Sequence, residues 1–326
     1  MRRTKATAVA GVLIAAAAAL AAVAYARTRP SELDALATRV TVLHVAQRFD
    51  EALPLAERAV ALARAQDGET GPRYAAALSA LGTLHRDAGR LDRAEPLLTT
   101  ALAATERHHG AASRETADAL ATLALLHLQQ TRWEDAERLF VRARGIVGGM
   151  PPADRPRLAA ATARGLADVY AATGRVDAAA GLYHEAIAAT DAQWGPDNAI
   201  VVHVLQRLVD LYAANGGPEE AERFARRRLA VSEKADADGK SPLGVALSLV
   251  HLATLDSVRA RPDEAEPLAA RAVALAEQAA PARLRDMVLA DALDALADVR
   301  DATGRTADAA ALSARAATLR ERMATR

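Results

Sequence analysis

The sequence predicts an all-α protein of about seven consecutive helix-turn-helix units, and three observations support this class. The 326 residues are about half apolar but contain only three Phe, five Tyr and two Trp. A core built mainly from Ala, Leu and Val favours closely packed helices, because Ala is the best helix former and strands need more β-branched and aromatic residues. One short phrase recurs along the chain, and its apolar residues are spaced by three and four, as on one face of a helix.

The charge and cysteine content exclude several classes of function. Lys plus Arg and Asp plus Glu both number 41, so no bulk charge indicates a nucleic acid or an anionic lipid surface as the partner. Cysteine is absent, so the fold depends on no disulfide, whichever compartment it occupies. We therefore expect a protein or peptide partner and no nucleic acid, and the sequence leaves the oligomeric state open.

Residues 1–30 differ from the rest of the chain and predict a signal peptide or an N-terminal membrane anchor. Three cations precede the uncharged stretch 6–26, in which twelve of 21 residues are Ala. Ala24 and Ala26 form an A-x-A cleavage site ahead of Arg27. The stretch is also just long enough to span a bilayer, so membrane contact through residues 6–26 follows if the segment is retained. In both cases we expect the remaining chain, 31–326, outside the cytoplasm or at the membrane.

A repeat with a period of 42 to 44 residues organises residues 31–326. The phrase GRLDRAEPLLTTAL at 89–102 returns as TRWEDAERLFVRAR at 131–144, GRVDAAAGLYHEAI at 174–187 and GRTADAAALSARAA at 304–317. Ala94 lies five residues after Gly89 in the first of these segments, and an alanine occupies the equivalent position in every unit. We call these seven residues the ruler alanines. They are Ala52, Ala94, Ala136, Ala179, Ala221, Ala265 and Ala309. A period of this length indicates one supersecondary unit per repeat, stacked on its neighbours.

With that register, the chain resembles the tetratricopeptide repeat (TPR) family, in its long-unit, kinesin-light-chain form. Leu78 and Leu81 lie sixteen and thirteen residues before a ruler alanine, and a small residue, here Gly82, lies twelve before it. The resemblance implies a right-handed superhelix, an α-solenoid, whose first helices line a concave face. In the second unit the pattern predicts a first helix from about Ala75 to Asp87 and a second from about Leu91 to Glu106.

The turn between the two helices of a unit is predicted from glycine. Gly89, Gly174, Gly216 and Gly304 stand where a helix must end, and glycine takes the positive φ that ends it. Gln47 and Ala260 replace that glycine in units one and six.

Enzyme chemistry is not indicated by any motif in the sequence. There is no phosphate-binding glycine-rich loop, HExxH pair, Cys nucleophile or G-x-S-x-G elbow. His85 and His127 occupy a position that is Tyr in units four and five, which favours half-buried packing over metal binding. We therefore expect no catalytic, cofactor or metal site.

Candidate binding residues follow from the positions that line the concave face in the family. The resulting surface is rich in small residues and sparsely charged, which suits an extended peptide or a partner helix, with Leu125 and Leu128 as apolar anchors. The Lys and Asn residues with which chaperone-tail readers of the family hold a carboxylate are missing at these positions. The candidates are Arg86, Asp118, Leu125, Leu128, Gln129, Arg164, Asp168, His203, Gln206 and Asp210.

In the last unit the same positions form a row of four carboxylates, Asp291, Asp294, Asp298 and Asp301. Like charges at this spacing destabilise a helix by a few tenths of a kcal/mol per pair. The row is either an acidic end of the binding surface for a basic partner segment, or the solvated capping helix that ends a solenoid.

Two functions remain open from the sequence. The first is a non-catalytic scaffold that binds a peptide or protein segment in the concave face, outside the cytoplasm or at the membrane. The second is an anchored sensory or regulatory ectodomain that binds a small ligand or a cell-wall fragment.

Overall fold

The computed structural model of the protein describes residues 31–237, 239, 242–280 and 282–324, and all regular structure in these ranges is helical. The predicted signal peptide or anchor at 1–30 lies outside the described residues. Among the described helices, none combines the length and the apolar character that a bilayer crossing requires. The helices are α1 (Glu32–Val45), α2 (Phe49–Asp67), α3 (Pro72–Asp87), α4 (Leu91–His109), α5 (Arg114–Gln129), α6 (Trp133–Gly149), α7 (Pro156–Ala172), α8 (Val176–Trp194), α9 (Val201–Ala214), α10 (Pro218–Ala235), α11 (Pro242–Val258), α12 (Pro262–Gln278), α13 (Arg283–Ala302) and α14 (Thr306–Ala324).

These helices form seven successive pairs, one for each ruler alanine, which confirms the predicted all-α class. A 3₁₀ helix at Pro152–Asp154 precedes α7. Two compact units divide the chain, one ending at Leu126 and the other beginning at His127, inside α5. In the second repeat, the first helix begins at Pro72 rather than near Ala75, because proline at the first helical position is compatible with a helix start.

The ruler alanines lie on the second helix of each pair, and all seven are buried. Alanine at this position lets two helices approach closely, since a longer side chain would separate their axes. In the compact unit that ends at Leu126, two clusters of mainly Ala and Leu side chains fill the spaces between α1, α2, α3 and α4. The predicted small, aliphatic core is therefore present.

A second close approach involves an aromatic ring. Phe140 on α6 is fully buried, and its ring lies over Gly165 on α7. A Cβ atom built on Gly165 would stand 2.2 Å from the nearest ring carbon. The ring therefore needs a residue without a side chain at 165.

The turns within the helix pairs share one left-handed residue and one hydrogen-bond pattern. Gly89 has φ 74°, and the N–H of Arg90 donates to the His85 carbonyl at 2.8 Å. This is the pattern of a Schellman helix end. Three turns adopt the same left-handed conformation without glycine: Gln47, Thr131 and Ala260 have φ values of 56°, 58° and 54°. The sequence indicated the first and last of these exceptions, and the structure adds Thr131.

An arginine follows the left-handed residue in six of the seven turns, and several of these arginines link one pair of helices to the pair before it. Arg175 donates to both carboxylate oxygens of Glu137 at 2.9 and 2.6 Å, and Arg305 does the same to Glu266 at 2.8 and 2.6 Å. Each of these carboxylates immediately follows a ruler alanine. The repeated phrase thus encodes an ion pair between neighbouring repeats as well as a turn.

Candidate binding surface on helices α7, α9 and α11

Two adjoining cavities open on the first helices of units four, five and six, and His203 lines both of them. Cavity A has a volume of about 390 Å³ and lies between α7 and α9. It is lined by Arg157, Ala160, Ala161, Arg164, Thr190, Trp194, Ile200, His203 and Val204. Cavity B has a volume of about 380 Å³ and lies between α9 and α11. It is lined by Ala199, Val202, His203, Gln206, Arg228, Ser232, Ala235, Asp236, Gly244, Leu247 and His251.

The structure thus brings together three of the residues predicted from the sequence. Arg164 faces cavity A, Gln206 faces cavity B, and the exposed His203 stands between them. Asp210, one turn beyond Gln206, accepts a hydrogen bond from Gln206 Nε2 at 2.5 Å. Gln206 Oε1 is buried and has no hydrogen-bond partner.

The most unusual residue of cavity B is Arg228 on α10, which the sequence reasoning missed. It is only 4% exposed, and Nε has no hydrogen-bond partner. Its Nη1 donates to His251 Nδ1 at 2.8 Å and lies 3.4 Å from the Leu247 carbonyl oxygen. In the part of the chain that the structure describes, no carboxylate forms an ion pair with it. A guanidinium has only donors, so His251 Nδ1 accepts this bond.

Burial dominates the electrostatics of this pair. Desolvation lowers the pKa of Arg228 to about 10, and the charge of Asp210 opposes part of that shift. Burial, followed by the positive charge of Arg228, lowers the pKa of His251 to about 4. At neutral pH the arginine is therefore charged and the imidazole neutral, so cavity B contains a buried cation.

A signal for Arg228 was present in the repeat. It lies seven residues after its ruler alanine, and the equivalent residue in each of the other six units is a buried alanine. Those residues are Ala59, Ala101, Ala143, Ala186, Ala272 and Ala316. An alignment of the second helices, in addition to the first, would have shown this single departure.

Two other predicted residues have partners within the protein. Asp168 accepts a hydrogen bond from the buried Tyr183 hydroxyl at 2.6 Å, and its side chain is 12% exposed. Burial and the charge of Asp168 raise the pKa of Tyr183. Arg86 is also 12% exposed and donates to the neighbouring Asp87 at 2.9 Å. Neither residue lines cavity A or B.

The remaining candidates of the third unit lie on α5. Asp118 and Gln129 are exposed, whereas Leu125 and Leu128 are half-buried. None of these four residues lines either cavity. His85 and His127, predicted as half-buried packing residues, are instead buried, at 5% and 6% exposure.

The row of four aspartates is only partly available to a partner. Arg320 on α14 forms ion pairs with Asp291 at 3.2 Å and with Asp294 at 2.6 Å. Asp298 and Asp301 are exposed. Burial and the charges of Asp294 and Asp301 raise the pKa of Asp298. An internal arginine thus neutralises part of the predicted acidic end.

A cluster of three carboxylates, Glu222, Asp256 and Glu264, has ligand oxygens within 4.8 Å of one another. Arginines already occupy this cluster, because Glu222 pairs with Arg259 at 2.9 Å and with Arg261 at 2.7 Å. The hydrogen bond from Arg261 lowers the pKa of Glu222, and Arg261 also pairs with the fully buried Asp256. The cluster is therefore an ion-pair network that stabilises the contact between helix pairs.

The fold and these cavities together define a class: a helical repeat protein in which the repeated residues build a frame and the variable residues line its cavities. The family model for the tetratricopeptide repeat matches residues 31–107, 75–147 and 158–234. The chain belongs to the tetratricopeptide repeat family, whose fold supports a protein-interaction scaffold. No curated protein sequence matches the chain.

Solved structures agree with the long-unit resemblance. BtubC (BKLC) from P. vanneervenii is 22% identical with a TM-score of 0.62, over 72% of this chain and 92% of that chain. A second structure contains the TPR-like repeats of a protein from Podospora anserina that is assigned as a kinesin light chain. It is 20% identical to this chain with a TM-score of 0.53, over 64% of this chain and 98% of that chain. The apo quorum sensor NprR from B. thuringiensis is 14% identical with a TM-score of 0.62, over 88% and 76%. The prediction of kinesin-light-chain-like repeats is confirmed.

Proposed function

We propose that the protein is a binding scaffold that holds an extended peptide segment across cavities A and B, on helices α7, α9 and α11. The observation that carries the proposal is the adjoining position of the two cavities, which share His203. Together they offer space for two side chains of one extended segment that are two residues apart, since every second residue of an extended chain points to the same side.

The lining of the cavities supports a peptide as the ligand. Ala160, Ala161 and Ala199 leave room, while Trp194 and Ile200 supply apolar contact. A few polar groups, among them Arg164 and Gln206, can fix the orientation of a bound backbone. Such a mixture of apolar walls and few polar groups is typical of ligand sites.

A single substitution at the shared residue tests the proposal. His203→Trp should fill both cavity mouths, and His108→Trp is the matched control, since His108 is also exposed on a helix, α4. Peptides are selected from a random phage-displayed library on the unmodified protein, synthesised, and titrated by calorimetry. We expect at least tenfold weaker binding to His203→Trp and unchanged binding to His108→Trp. Equal affinities for the two variants would place the binding surface elsewhere.

We also propose that residues 1–30 export the chain or tether it to a membrane, as the sequence predicts. The order of three cations, an uncharged stretch and an A-x-A site supports this. Intact-mass determination of the protein from its native host distinguishes a cleaved signal peptide from a retained membrane anchor. A chain that begins at Arg27 indicates cleavage, and an intact N-terminus in the membrane fraction indicates an anchor. An intact chain in the cytoplasm would contradict both.

A further inference from the structure

We propose that Arg228 is the anion-binding residue of cavity B, and that it holds a ligand carboxylate with an N–H donor beside it. This inference names the ligand chemistry of one part of the proposed binding surface and so rests on the proposed function. Three observations carry it: the burial of Arg228, its place in the repeat, and the unpartnered acceptor on Gln206.

The first observation is an unbalanced charge. Arg228 is 4% exposed, lines cavity B and lacks a carboxylate partner among the described residues. Its Nε has no hydrogen-bond partner, and its Nη1 contacts only neutral groups, on His251 and Leu247. A buried, unpaired guanidinium is strongly unfavourable, and an anion that enters the cavity would relieve this cost.

The second observation is that packing does not require an arginine. Six units place alanine at the equivalent position, and all six alanines are buried between helices as part of the same frame. The frame therefore tolerates the smaller side chain, and the arginine adds a charge that folding does not need. This separates Arg228 from the arginines of the turns, which have carboxylate partners such as Glu137 and Glu266.

The third observation is an unpartnered acceptor in cavity B, which indicates that the ligand carries an N–H donor as well as a carboxylate. Gln206 lines the same cavity, and its Oε1 is a buried acceptor without a donor. An unpartnered donor and an unpartnered acceptor in one cavity match a ligand that offers an acceptor and a donor together. The last residue of a peptide offers its carboxylate and its backbone N–H, and an acidic side chain next to its own backbone N–H offers the same pair.

Charge selects a carboxylate over a phosphate dianion. Asp236 lines cavity B, and Asp210 lies close enough to Arg228 to raise its pKa against the effect of burial. Two carboxylates near the site repel a doubly charged ligand more than a singly charged one. The planar guanidinium also matches the geometry of a carboxylate.

The experiment uses four small probes in two pairs. N-acetyl-Ala-Leu with a free carboxylate is compared with its C-terminal amide, and N-acetyl-aspartic acid α-amide with N-acetyl-asparagine α-amide. The first pair tests a chain terminus as the source of the carboxylate, and the second pair an acidic side chain. Binding is measured by thermal unfolding and by the NMR signal of the Arg228 Nε–H group, assigned by its loss in Arg228→Gln. We expect one or both acids to shift this signal and raise the Tm, and their neutral counterparts to do neither.

Arg228→Ala restores the residue of the other six units, so it should fold, with a Tm at least as high as that of the unmodified protein. We expect it to bind the acid at least tenfold more weakly. Arg223→Gln is the control, because Arg223 lies on the same helix, exposed, over the Phe224 ring. Carboxylate affinities of Arg228→Ala within twofold of the unmodified protein would overturn the inference, as would tighter binding of inorganic phosphate than of either acid.

The two proposals fail in different ways. If selected peptides bind in a manner sensitive to His203→Trp but indifferent to Arg228→Ala, the peptide-binding function stands and the role of Arg228 is wrong. If the small acids bind through Arg228 while no peptide binds, the anion site stands and the ligand is a small molecule.

Discussion

At the scale of single residues, three turns adopt a conformation that their side chains disfavour. Thr131 is the clearest case, because a β-branched residue at φ 58° is strained. We expect Thr131→Gly to raise the free energy of unfolding by about 0.5 to 1 kcal/mol. This is the strain energy that glycine relieves, minus the cost of the greater conformational entropy that glycine gives the unfolded chain. Urea unfolding of both proteins measures the difference in free energy. Gly89→Ala is the reverse experiment and should destabilise by a similar amount. A loss of stability in Thr131→Gly would show that the threonine side chain stabilises the turn.

Asp298 gives a prediction in which the size of the stability gain depends on pH. Its folded-state pKa is raised, so its ionised form is disfavoured in the folded protein, and the cost is present at neutral pH. Asp298→Asn should therefore raise the free energy of unfolding at pH 7 by about 0.3 kcal/mol, a small value because the residue is exposed. The gain should disappear as the pH falls below 3.8, the ordinary pKa, where the carboxyl is neutral in both states.

Asp294→Asn is the matched control for this effect. It removes one repulsion from Asp298 but also the 2.6 Å ion pair with Arg320, so no net gain is expected. Unfolding curves of both variants at pH 7 and pH 3 make the comparison. A gain for Asp298→Asn that persists at pH 3 would exclude charge repulsion as its cause.

At the scale of helices, the contact between α6 and α7 is set by one glycine. Gly165→Ala would place a methyl group 2.2 Å from the Phe140 ring, so the ring or the helix must move. We expect a loss of about 1 to 3 kcal/mol, as for other overpacked cores. Gly181→Ala on α8 is the control, since a Cβ there meets nothing within 4 Å. The control should gain about 0.5 to 1 kcal/mol from helix propensity, and equal effects of the two changes would show that the Phe140 contact is unimportant.

At the scale of the whole molecule, the balance of 41 basic and 41 acidic residues is used in part for ion pairs between successive repeats. Glu266→Gln removes the bidentate pair with Arg305, and we expect a loss of about 0.5 to 1 kcal/mol at low salt, since the pair is partly exposed. In 1 M salt the loss should shrink, because exposed charges are screened there. Thermal unfolding at both salt concentrations tests this, and a loss that does not depend on salt would assign the effect to packing.

Much of the fold could be predicted, but less of the candidate site. The period, the ruler alanines and the turn glycines are local patterns that repeat seven times, so an error in one unit is corrected by the others. Arg164, His203 and Gln206 of the candidate site were predicted because the resemblance to the family implies that the first helices line the binding face. Arg228 was missed because it lies on a second helix, where the repeat predicts a buried alanine. Asp168 and Arg86 were predicted to lie on the binding surface, because the sequence does not show that their side chains form hydrogen bonds with Tyr183 and Asp87.

The sequence by itself determined the class of fold, the helix pairs and the places where each pair turns, because these depend on neighbours a few residues apart. Only the tertiary structure decided which polar groups are left unpaired. Arg228 on α10 contacts His251 on α11, and Gln206 on α9 lines the same cavity, so residues from different helices bring an unpartnered donor and an unpartnered acceptor to one site. Burial and partnership depend on residues brought together from different helices, and a pattern of letters along one helix does not contain that information.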